Sequence, residues 1–315
     1  MPITYVQPQD YIHLENIACL IDTALRVVVV TGAGISTKAG IPDYRSKNSN
    51  NSRYRRSLFH SSVFSDPEKK SCFYKEVTRM HQMAKDANPT ETHHFINDLH
   101  RAGKLVRYYT QNIDCLEDKV GLCTDLQKGP GIHFKHQANG QSSSLCVSGG
   151  VECVLLHGSV HCLQCSFCCK VYSWDDDDYE KGILAGKEPF CPGCAKVSAD
   201  RVERGKRSTA VGTLRPNIVL YGEENPQAEF INEVIKRDLH QRPDILLIMG
   251  TRLTTYGVKY LIRVFAKATH EQNGKVVYVN LTKPAKEWDN VIDYWAEQEC
   301  DIWVQDLKRR QSALL

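Results

Sequence analysis

The sequence predicts an α/β fold, a doubly wound parallel sheet with a smaller zinc-ribbon and helical module inserted. Apolar, β-branched runs alternate with helical patterns along most of the chain, which favours a parallel sheet with helices on both faces. The first such run, Val27 to Thr31, has four valines and a threonine, as in a strand that is buried on both faces. Two C-x-x-C pairs between positions 165 and 194 predict the metal-binding module.

Length and composition limit the classes of protein to which the chain can belong. Its 315 residues suffice for one large domain and a smaller one. Its 42% hydrophobic and 24% charged residues are ordinary for a soluble globular protein, and a net charge of +3 permits an acidic partner such as chromatin. No apolar run approaches the roughly 20 residues of a membrane span, and the first ten residues do not resemble a signal peptide.

The segment after the first predicted strand, at 32–45, predicts a turn that binds a cofactor. Gly32 and Gly34 permit the backbone to approach a ligand closely, and Ser36 and Thr37 can cap a following helix whose N-terminus suits a pyrophosphate. The dinucleotide fingerprint G-x-G-x-x-G requires glycine at position 37, where threonine stands. A tight turn without a ligand is therefore the alternative.

Polar residues also follow two later predicted strands. Gln111, Asn112 and Asp114 come after the strand predicted at 104–110, and His157 follows the one at 151–156. Open α/β sheets bind ligands at the carboxyl ends of their strands, and a histidine there suits general base catalysis near pH 7. Loop capping by Asn112 and Asp114 and a structural role for His157 are the alternatives.

The remaining periodicity predicts further helices and strands. We expect helices at 9–25, 58–87, 90–102, 226–241 and 258–269, and strands at 243–253 and 275–281. A last helix is followed by a strand that ends at 300–304. Residues 119–150 read as a long surface-loop insertion, and 46–56 as a polar, basic loop that is either solvated surface or a flap over a cofactor.

Six of the thirteen cysteines lie between positions 162 and 194, which favours metal binding in a reducing compartment over a disulfide scaffold. Both Cys162/Cys165 and Cys165/Cys168 have the spacing of a zinc knuckle that complements Cys191/Cys194. The second pair leaves 22 intervening residues and the first leaves 25, against a usual 15–20. We therefore predict Cys165, Cys168, Cys191 and Cys194 as the ligands of one structural zinc ion, since four thiolates leave no open position.

Together these motifs resemble those of the sirtuins, the NAD-dependent protein deacylases. The matching segments are GAGIS and GIPDYRS in 32–46, PTETHHFI (89–96), TQNID (110–114), LHG (156–158), the two cysteine pairs, LRPNIVLYGE (214–223), MGT (249–251) and VNL (279–281). They follow the family's order over nearly the whole chain. The insertion before LHG and the phrases LCTDL, YSW and GVKYLIR are most similar to the fungal nuclear branch that deacetylates histone H3.

The resemblance implies a division of the chain into three parts. A discontinuous Rossmann-like NAD-binding domain would comprise 1–45, 89–157 and 215–307. A flexible cofactor flap and helical module would occupy 46–88, and the zinc-binding module 158–214. It also implies nuclear localisation and an acetylated lysine peptide, histone H3 above all, as substrate. The sequence itself shows no direct nucleic-acid motif and no membrane segment.

The resemblance further implies the contacts of a bound NAD. The residues that would hold the pyrophosphate and nicotinamide ribose are Gly32, Ala33, Gly34, Ile35, Pro42, Asp43, Tyr44 and Arg45. The residues around the nicotinamide would be Gln111, Asn112, Ile113 and Asp114, with Asp114 bonded to the carboxamide. The adenosine half would contact Gly250, Thr251, Arg252, Asn280, Leu281 and Cys300.

In the implied reaction, the acyl-lysine oxygen attacks the ribose as nicotinamide leaves. Asn112 and His157 would be catalytic, His157 as the general base on a ribose hydroxyl, with O-acetyl-ADP-ribose as a product. The substrate tunnel would be formed by Val219, Leu220, Tyr221, Gly222 and Glu223.

Two residues depart from the family pattern. Tyr44 stands where phenylalanine is usual, and Arg252 replaces a serine, where it can pair with a phosphate or crowd the adenosine pocket. Two other functions compete with deacetylation: ADP-ribosyl transfer or NAD glycohydrolysis on the same fold, and a non-catalytic NAD-binding chromatin module.

Overall fold

A computed structural model describes residues 2–43, 57–137, 143–174, 176, 179–184 and 188–313, with the backbone alone for 132–137 and 143–148. Tyr44, Arg45 and the predicted flap at 46–56 therefore lie outside the described residues. No helix in the described part of the chain combines the length and apolar character needed to cross a membrane.

The strands, in chain order, are β1 (Thr4–Val6), β2 (Val27–Thr31), β3 (Leu105–Thr110), β4 (Ile132–Gln137), β5 (Ser143–Ser148), β6 (Cys153–Leu155), β7 (Gly158–Cys165), β8 (Val171–Ser173), β9 (Leu214–Ile218), β10 (Ile245–Met249), β11 (Lys275–Val279) and β12 (Tyr294–Ala296). Within the described residues, seven of them form one sheet in the order β1-β12-β11-β10-β2-β3-β6. All of its pairs are parallel, which confirms the predicted fold class.

The helices are α1 (Tyr11–Thr23), α2 (Pro67–Asp86), α3 (Glu91–Arg101), α4 (Leu116–Lys119), α5 (Tyr179–Leu184), α6 (Pro192–Glu203), α7 (Ala228–Leu239), α8 (Tyr256–His270) and α9 (Cys300–Ala313). Short 3-10 helices lie at Ala33–Ile35, Thr37–Ala39, Ser61–Ser65, Leu126–Lys128 and Lys286–Trp288.

Helices cover both faces of the parallel sheet, because successive strand residues point to opposite sides. Val27 and Val29 of β2 join a core with α1, α3 and α9. Val28 and Val30 join a second core with α7 and α8 on the other face. Every residue of β2 and β10 is buried, as the continuous β-branched run predicts.

A smaller antiparallel sheet, β8-β7-β9, packs with α2 around a third core. Phe73 and Val77 of α2 contribute to this core, with Leu163 of β7 and Leu214 of β9. β9 spans the boundary at 214/215 that the resemblance implies, and its pairing with β7 places residues 215–218 in this sheet.

Three local predictions are wrong. The insertion at 119–150 contains an antiparallel hairpin, β4 with β5, and apolar and polar residues alternate along β4 but not along β5. The segment 300–304 begins α9 and is not a strand, since its buried residues Cys300, Trp303, Val304 and Leu307 have helical spacing. Two 3-10 turns, not an α-helix, follow β2, and the side chain of Ser36 makes no capping bond there.

One buried ion pair joins the sheet to α7. The Arg107 guanidinium donates from Nε and Nη2 to the two carboxylate oxygens of Asp238, at 2.9 and 2.8 Å. The Tyr109 hydroxyl donates to the same carboxylate at 2.6 Å, and Arg107 Nη2 also donates to the carbonyl of Pro130 at 2.8 Å. Both charged side chains are fully inaccessible to solvent. Removing one charge would therefore strand the other in the interior.

We expect Asp238→Asn to lower the free energy of unfolding by about 3–5 kcal/mol, because the guanidinium stays buried without its counter-charge. Urea-induced unfolding followed by fluorescence measures this change. The matched control is Asp98→Asn, which breaks an exposed pair with Lys308 at 2.9 Å and should leave the midpoint nearly unchanged. Equal midpoints for the two variants would contradict the assignment.

Candidate functional site

A cavity of about 830 Å³ opens at the carboxyl edge of the parallel sheet. Its volume lies in the range that holds a cofactor or drug-sized ligand. The predicted site residues on its wall are Gly32, Ala33, Pro42, Asp43, Gln111, Asn112, Ile113, Asp114, His157, Val219, Leu220, Tyr221, Gly222, Glu223, Gly250, Thr251 and Arg252. The structure thus brings residues from four strand ends and from the segment after β9 to one site.

Five other predicted cofactor residues do not line this cavity. Ile35 and Cys300 are buried, while Leu281 is exposed at the surface. The side-chain amide of Asn280 donates to the carbonyl of Thr251 at 3.0 Å and so supports the wall from behind. Gly34 lies against Gly250. Their contacts with a cofactor remain predictions.

The glycines after β2 and β10 allow two strand ends to touch. The amide of Gly34 donates to the carbonyl of Gly250 at 2.9 Å. A Cβ on Gly34 would lie 2.7 Å from Gly250 Cα, and Gly250 itself has a φ of +62°. Gly34 is therefore required by a neighbouring backbone, whereas Gly32 also faces the cavity.

Side chains after β3 link the same strand ends. Gln111 Nε2 donates to the carbonyl of Thr31 at 3.0 Å and to Thr251 Oγ1 at 2.7 Å. Asn112, only 6% exposed, donates from Nδ2 to Ser36 Oγ at 3.0 Å. These bonds hold the polar groups of three strands in fixed positions along the cavity wall.

The orientation of His157 fixes its tautomer. Its Nδ1 lies 3.0 Å from the carbonyl oxygen of Gln111, which can only accept a hydrogen bond. Nδ1 therefore carries the proton of the neutral ring, and Nε2 has the lone pair. The carbonyl of His157 accepts from the amide of Val219 at 2.9 Å, which ties the histidine to the segment after β9. This arrangement suits a general base.

Asp114 lies on the wall at 5% exposure, and the fully buried Glu117 lies behind it. Burial raises the pKa of Asp114, while hydrogen bonds to the Ser36 side chain and the Leu116 amide oppose the rise. Burial, and then the Asp114 charge, raise the pKa of Glu117 to about 8. Sequence reasoning missed Glu117, although a second carboxylate three residues after Asp114 was a usable signal.

The segment after β9 is held by the protein itself. The guanidinium of Arg215 donates to both carboxylate oxygens of Glu223, at 2.7 and 2.9 Å, and the amide of Leu220 donates to Oε2 at 3.0 Å. The amide of Tyr221 donates to the carbonyl of Phe59 at 2.8 Å. Glu223 thus shapes the wall, with its charge already paired.

The four predicted cysteine ligands converge. The sulfurs of Cys165, Cys168, Cys191 and Cys194 all lie within 4.8 Å of one another, and the Cys165–Cys194 and Cys168–Cys191 pairs are each 3.7 Å apart. Zinc–sulfur bonds of about 2.3 Å at tetrahedral angles would separate two sulfurs by about 3.8 Å. The cluster therefore fits one zinc ion with four thiolates and no open position.

Neighbouring groups donate hydrogen bonds to two sulfurs of the cluster, and those at Cys191 favour its thiolate form. Backbone amides of Phe167 and Cys168 donate to Cys165 Sγ at 3.3 and 3.4 Å. Burial alone would raise the pKa of Cys191, but hydrogen bonds from the Tyr172 hydroxyl and the Cys194 amide lower it to about 6. Thiolates are the form that binds zinc.

The chain is similar in sequence to known proteins of one family. The model of the Sir2 family matches residues 32–133 and 144–257. The NAD-dependent histone deacetylase HST3 of Candida albicans is 37% identical over 94% of this chain, and HST3 of Saccharomyces cerevisiae is 36% identical over 94%. The NAD-dependent protein deacetylase hst4 of Schizosaccharomyces pombe is 32% identical over 98%. The chain spans 62%, 67% and 72% of the lengths of these three relatives.

Solved structures share the fold. A complex described as Sir2, p53 peptide and NAD+ superposes with a TM-score of 0.65 at 24% identity, covering 97% of this chain and 98% of that one. A Sir2 variant with deacetylated p53 peptide and 3'-O-acetyl ADP ribose gives a TM-score of 0.67 at 24% identity, covering 94% and 97%.

We expect Cys168→Ser to lose bound zinc, because three thiolates and a hydroxyl bind it weakly. Cys162→Ser is the matched control and should keep one zinc per chain, since Cys162 lies outside the cluster. Elemental analysis after gel filtration measures the zinc content. Retention by the first variant and loss by the second would show that Cys162 replaces Cys168.

Proposed function

The chain belongs to the Sir2 family, and we propose on that basis that it is an NAD-dependent protein lysine deacetylase. The observation that supports this best is the orientation of His157, with Nε2 as its basic nitrogen, on the same cavity wall as Asn112 and Asp114. A module that only bound a cofactor would not need an oriented base there.

The cavity residues fit NAD in size and chemistry. The backbone at Gly32, Ala33 and Gly250 has the small profile that a pyrophosphate requires, and Pro42 and Asp43 lie on the same wall. Asn112 and the carboxylate of Asp114 provide polar groups that complement the nicotinamide carboxamide. When bound, NAD supplies a ribose carbon with nicotinamide as the leaving group.

His157 would move the proton in the reaction. The carbonyl of Gln111 accepts a hydrogen bond from Nδ1, so Nε2 is the nitrogen that would accept a proton from a ribose hydroxyl. The same carbonyl would then stabilise the positive charge of the imidazolium ring. Asn112 is held in place by its hydrogen bond to the Ser36 hydroxyl, and its amide group does not titrate. The rate of general base catalysis depends on where Nε2 lies and on whether it carries a proton, so the contacts that orient His157 matter as much as the presence of the imidazole.

The substrate side would be formed by the segment after β9. Val219 and Leu220 offer an apolar surface for the lysine stem, beside His157. Exposed carboxylates at Glu229 and Glu233 of α7, a helix that lines the cavity, would attract a basic peptide. We assign an acetylated histone, with H3 as the first candidate, because the relatives are named histone deacetylases; nuclear localisation goes with that substrate.

Product analysis tests the proposed activity. With NAD and an acetylated histone H3 peptide, mass spectrometry should detect nicotinamide, deacetylated peptide and O-acetyl-ADP-ribose in equal amounts. We expect His157→Ala to lower the rate about 10²–10⁴-fold, the usual contribution of a general base. His240→Ala, at the exposed end of α7, is the matched control and should retain the activity.

Two other outcomes would replace the proposal. Nicotinamide release with the acetyl group still on the peptide would indicate glycohydrolase or ADP-ribosyltransferase activity, which shares the first bond cleavage. Intact NAD with the wild-type protein would favour the non-catalytic module.

Arg252 provides a separate test of the cofactor site. Its side chain is exposed on the cavity wall, so it has room to turn outward, and we assign it to an NAD phosphate. Arg252→Ser should raise KM for NAD about three- to tenfold with little change in kcat, as for an exposed charge-assisted hydrogen bond. Arg263→Ser on α8, whose guanidinium pairs with Glu287, is the control. A lower KM in Arg252→Ser would instead show that the arginine crowds the pocket.

A further inference from the structure

Three buried polar side chains meet behind the cavity wall. A nitrogen of His93 and one carboxylate oxygen each of Asp114 and Glu117 lie within 4.8 Å of one another. His93, on α3, and Glu117, on α4, are fully buried, whereas Asp114 reaches the cavity. His93 Nε2 and Glu117 Oε2 have no hydrogen-bond partner in the described part of the chain. Two unpartnered polar atoms in one buried cluster require an explanation.

The tautomer of His93 argues against a metal ion. The backbone amide of Thr90 donates to His93 Nδ1 at 3.2 Å, so Nδ1 holds the lone pair and Nε2 carries the proton. The Thr90 amide occupies the lone pair of Nδ1 and Nε2 carries a proton, so neither nitrogen is available as a metal ligand. Burial lowers the pKa of His93 to about 3, so the ring is a neutral donor.

The two carboxyl groups have unequal surroundings. Glu117 Oε1 accepts from the Tyr108 hydroxyl at 2.9 Å, and its other oxygen has no partner among the described residues. Asp114 reaches the cavity, and hydrogen bonds to Ser36 and the Leu116 amide favour its charged form. Two carboxyl groups within 4.8 Å of one another in a buried site do not both ionise readily, so we place a single proton on the deeper one.

We propose that Glu117, oriented by Tyr108, is a positioning residue that holds the one proton of its pair with Asp114, so that the pair presents a single negative charge to the nicotinamide group. The proposal rests on the proposed function, which places that group beside Asp114. Glu117 has no contact with the cavity and acts only through Asp114.

Other titratable groups surround the pair. The neighbours are Tyr108 on β3, Cys153 on β6, Cys115 just before α4, Asp118 on α4, and His161 on β7, whose Nε2 lies 2.9 Å from the Asp114 carbonyl. Burial raises the pKa of Tyr108, Cys115 and Cys153 well above their ordinary values, so these groups stay neutral. Burial raises the pKa of Asp118, while a hydrogen bond from the Thr124 hydroxyl opposes the rise.

Ionisation of Glu117 should therefore slow nicotinamide release. The nicotinamide ring of NAD is cationic and the released nicotinamide is neutral, so a second negative charge stabilises the bound cofactor more than the product. The pKa of Glu117, raised to about 8, places this loss in the alkaline range. Below that pH the proton is present and the pair carries one charge.

The test is the rate of NAD–nicotinamide exchange as a function of pH. In the wild type we expect a fall of about fivefold or more between about pH 7 and pH 9.5. Glu117→Gln mimics the protonated acid, so its rate should stay within about threefold of wild type near pH 7 and not fall at high pH. Asp118→Asn, on the same helical turn with its carboxylate bonded to Thr124, is the matched control and should keep the fall.

Tyr108→Phe separates a change of pKa from structural damage. The Tyr108 hydroxyl favours ionised Glu117, so its removal should move the alkaline fall to higher pH, whereas a merely weakened site would lose rate at every pH.

An infrared difference spectrum between acid and alkaline pH gives a readout that needs no activity. A protonated carboxyl band that disappears as pH rises, and is absent from Glu117→Gln, is expected. If the band is present but NAD is not cleaved, the result supports the proton on the carboxyl pair and contradicts the proposed function. The proposal would be overturned if the exchange rate of Glu117→Gln fell at high pH as in the wild type, or if the wild-type spectrum lacked the band.

Discussion

Backbone contact between Gly34 and Gly250 holds the ends of β2 and β10 together, and the cavity edge depends on it. The Gly34 amide bonds to the Gly250 carbonyl, and the Gly250 amide bonds to the carbonyl of Val279 at 3.1 Å. Three neighbouring strands therefore end in one continuous set of hydrogen bonds. Any side chain at these glycines would separate the strand ends and with them the polar groups that line the cavity.

The interior holds its carboxyl groups in two different ways. Asp238 is paired with a guanidinium and a phenol on the far side of β3, where its charge is permanently compensated. Asp114 and Glu117 have no such cation among the residues that the structure describes, and burial raises the pKa of both. The first arrangement supports the fold. The second leaves one negative charge at the cavity wall, where the proposed function places the nicotinamide ring.

The sequence predicts the features that depend on local pattern. The buried run of β2, the cysteine spacing and the polar strand ends could each be read from short segments. Contacts between distant segments could not. His93 and Glu117 are 24 positions apart in different helices, and nothing in either segment shows that they meet. The two 3-10 turns after β2 were missed because an α-helix was expected from capping residues, yet Ser36 is engaged by Asn112.

The zinc cluster and the candidate base belong to one mechanical unit. Cys165 ends β7 and pairs with Leu214 at the start of β9, while at the other end of the same two strands Gly158 pairs with Ile218. One step further, the carbonyl of His157 accepts from the amide of Val219, which extends the ladder into the cavity wall. A Cβ on Gly212 would lie 2.7 Å from Cys165 Sγ, so the chain entering β9 is fitted closely around the knuckle. A metal bound there would fix the strand pair whose opposite end carries His157 and the segment after β9, the parts that the proposed function assigns to the base and the substrate.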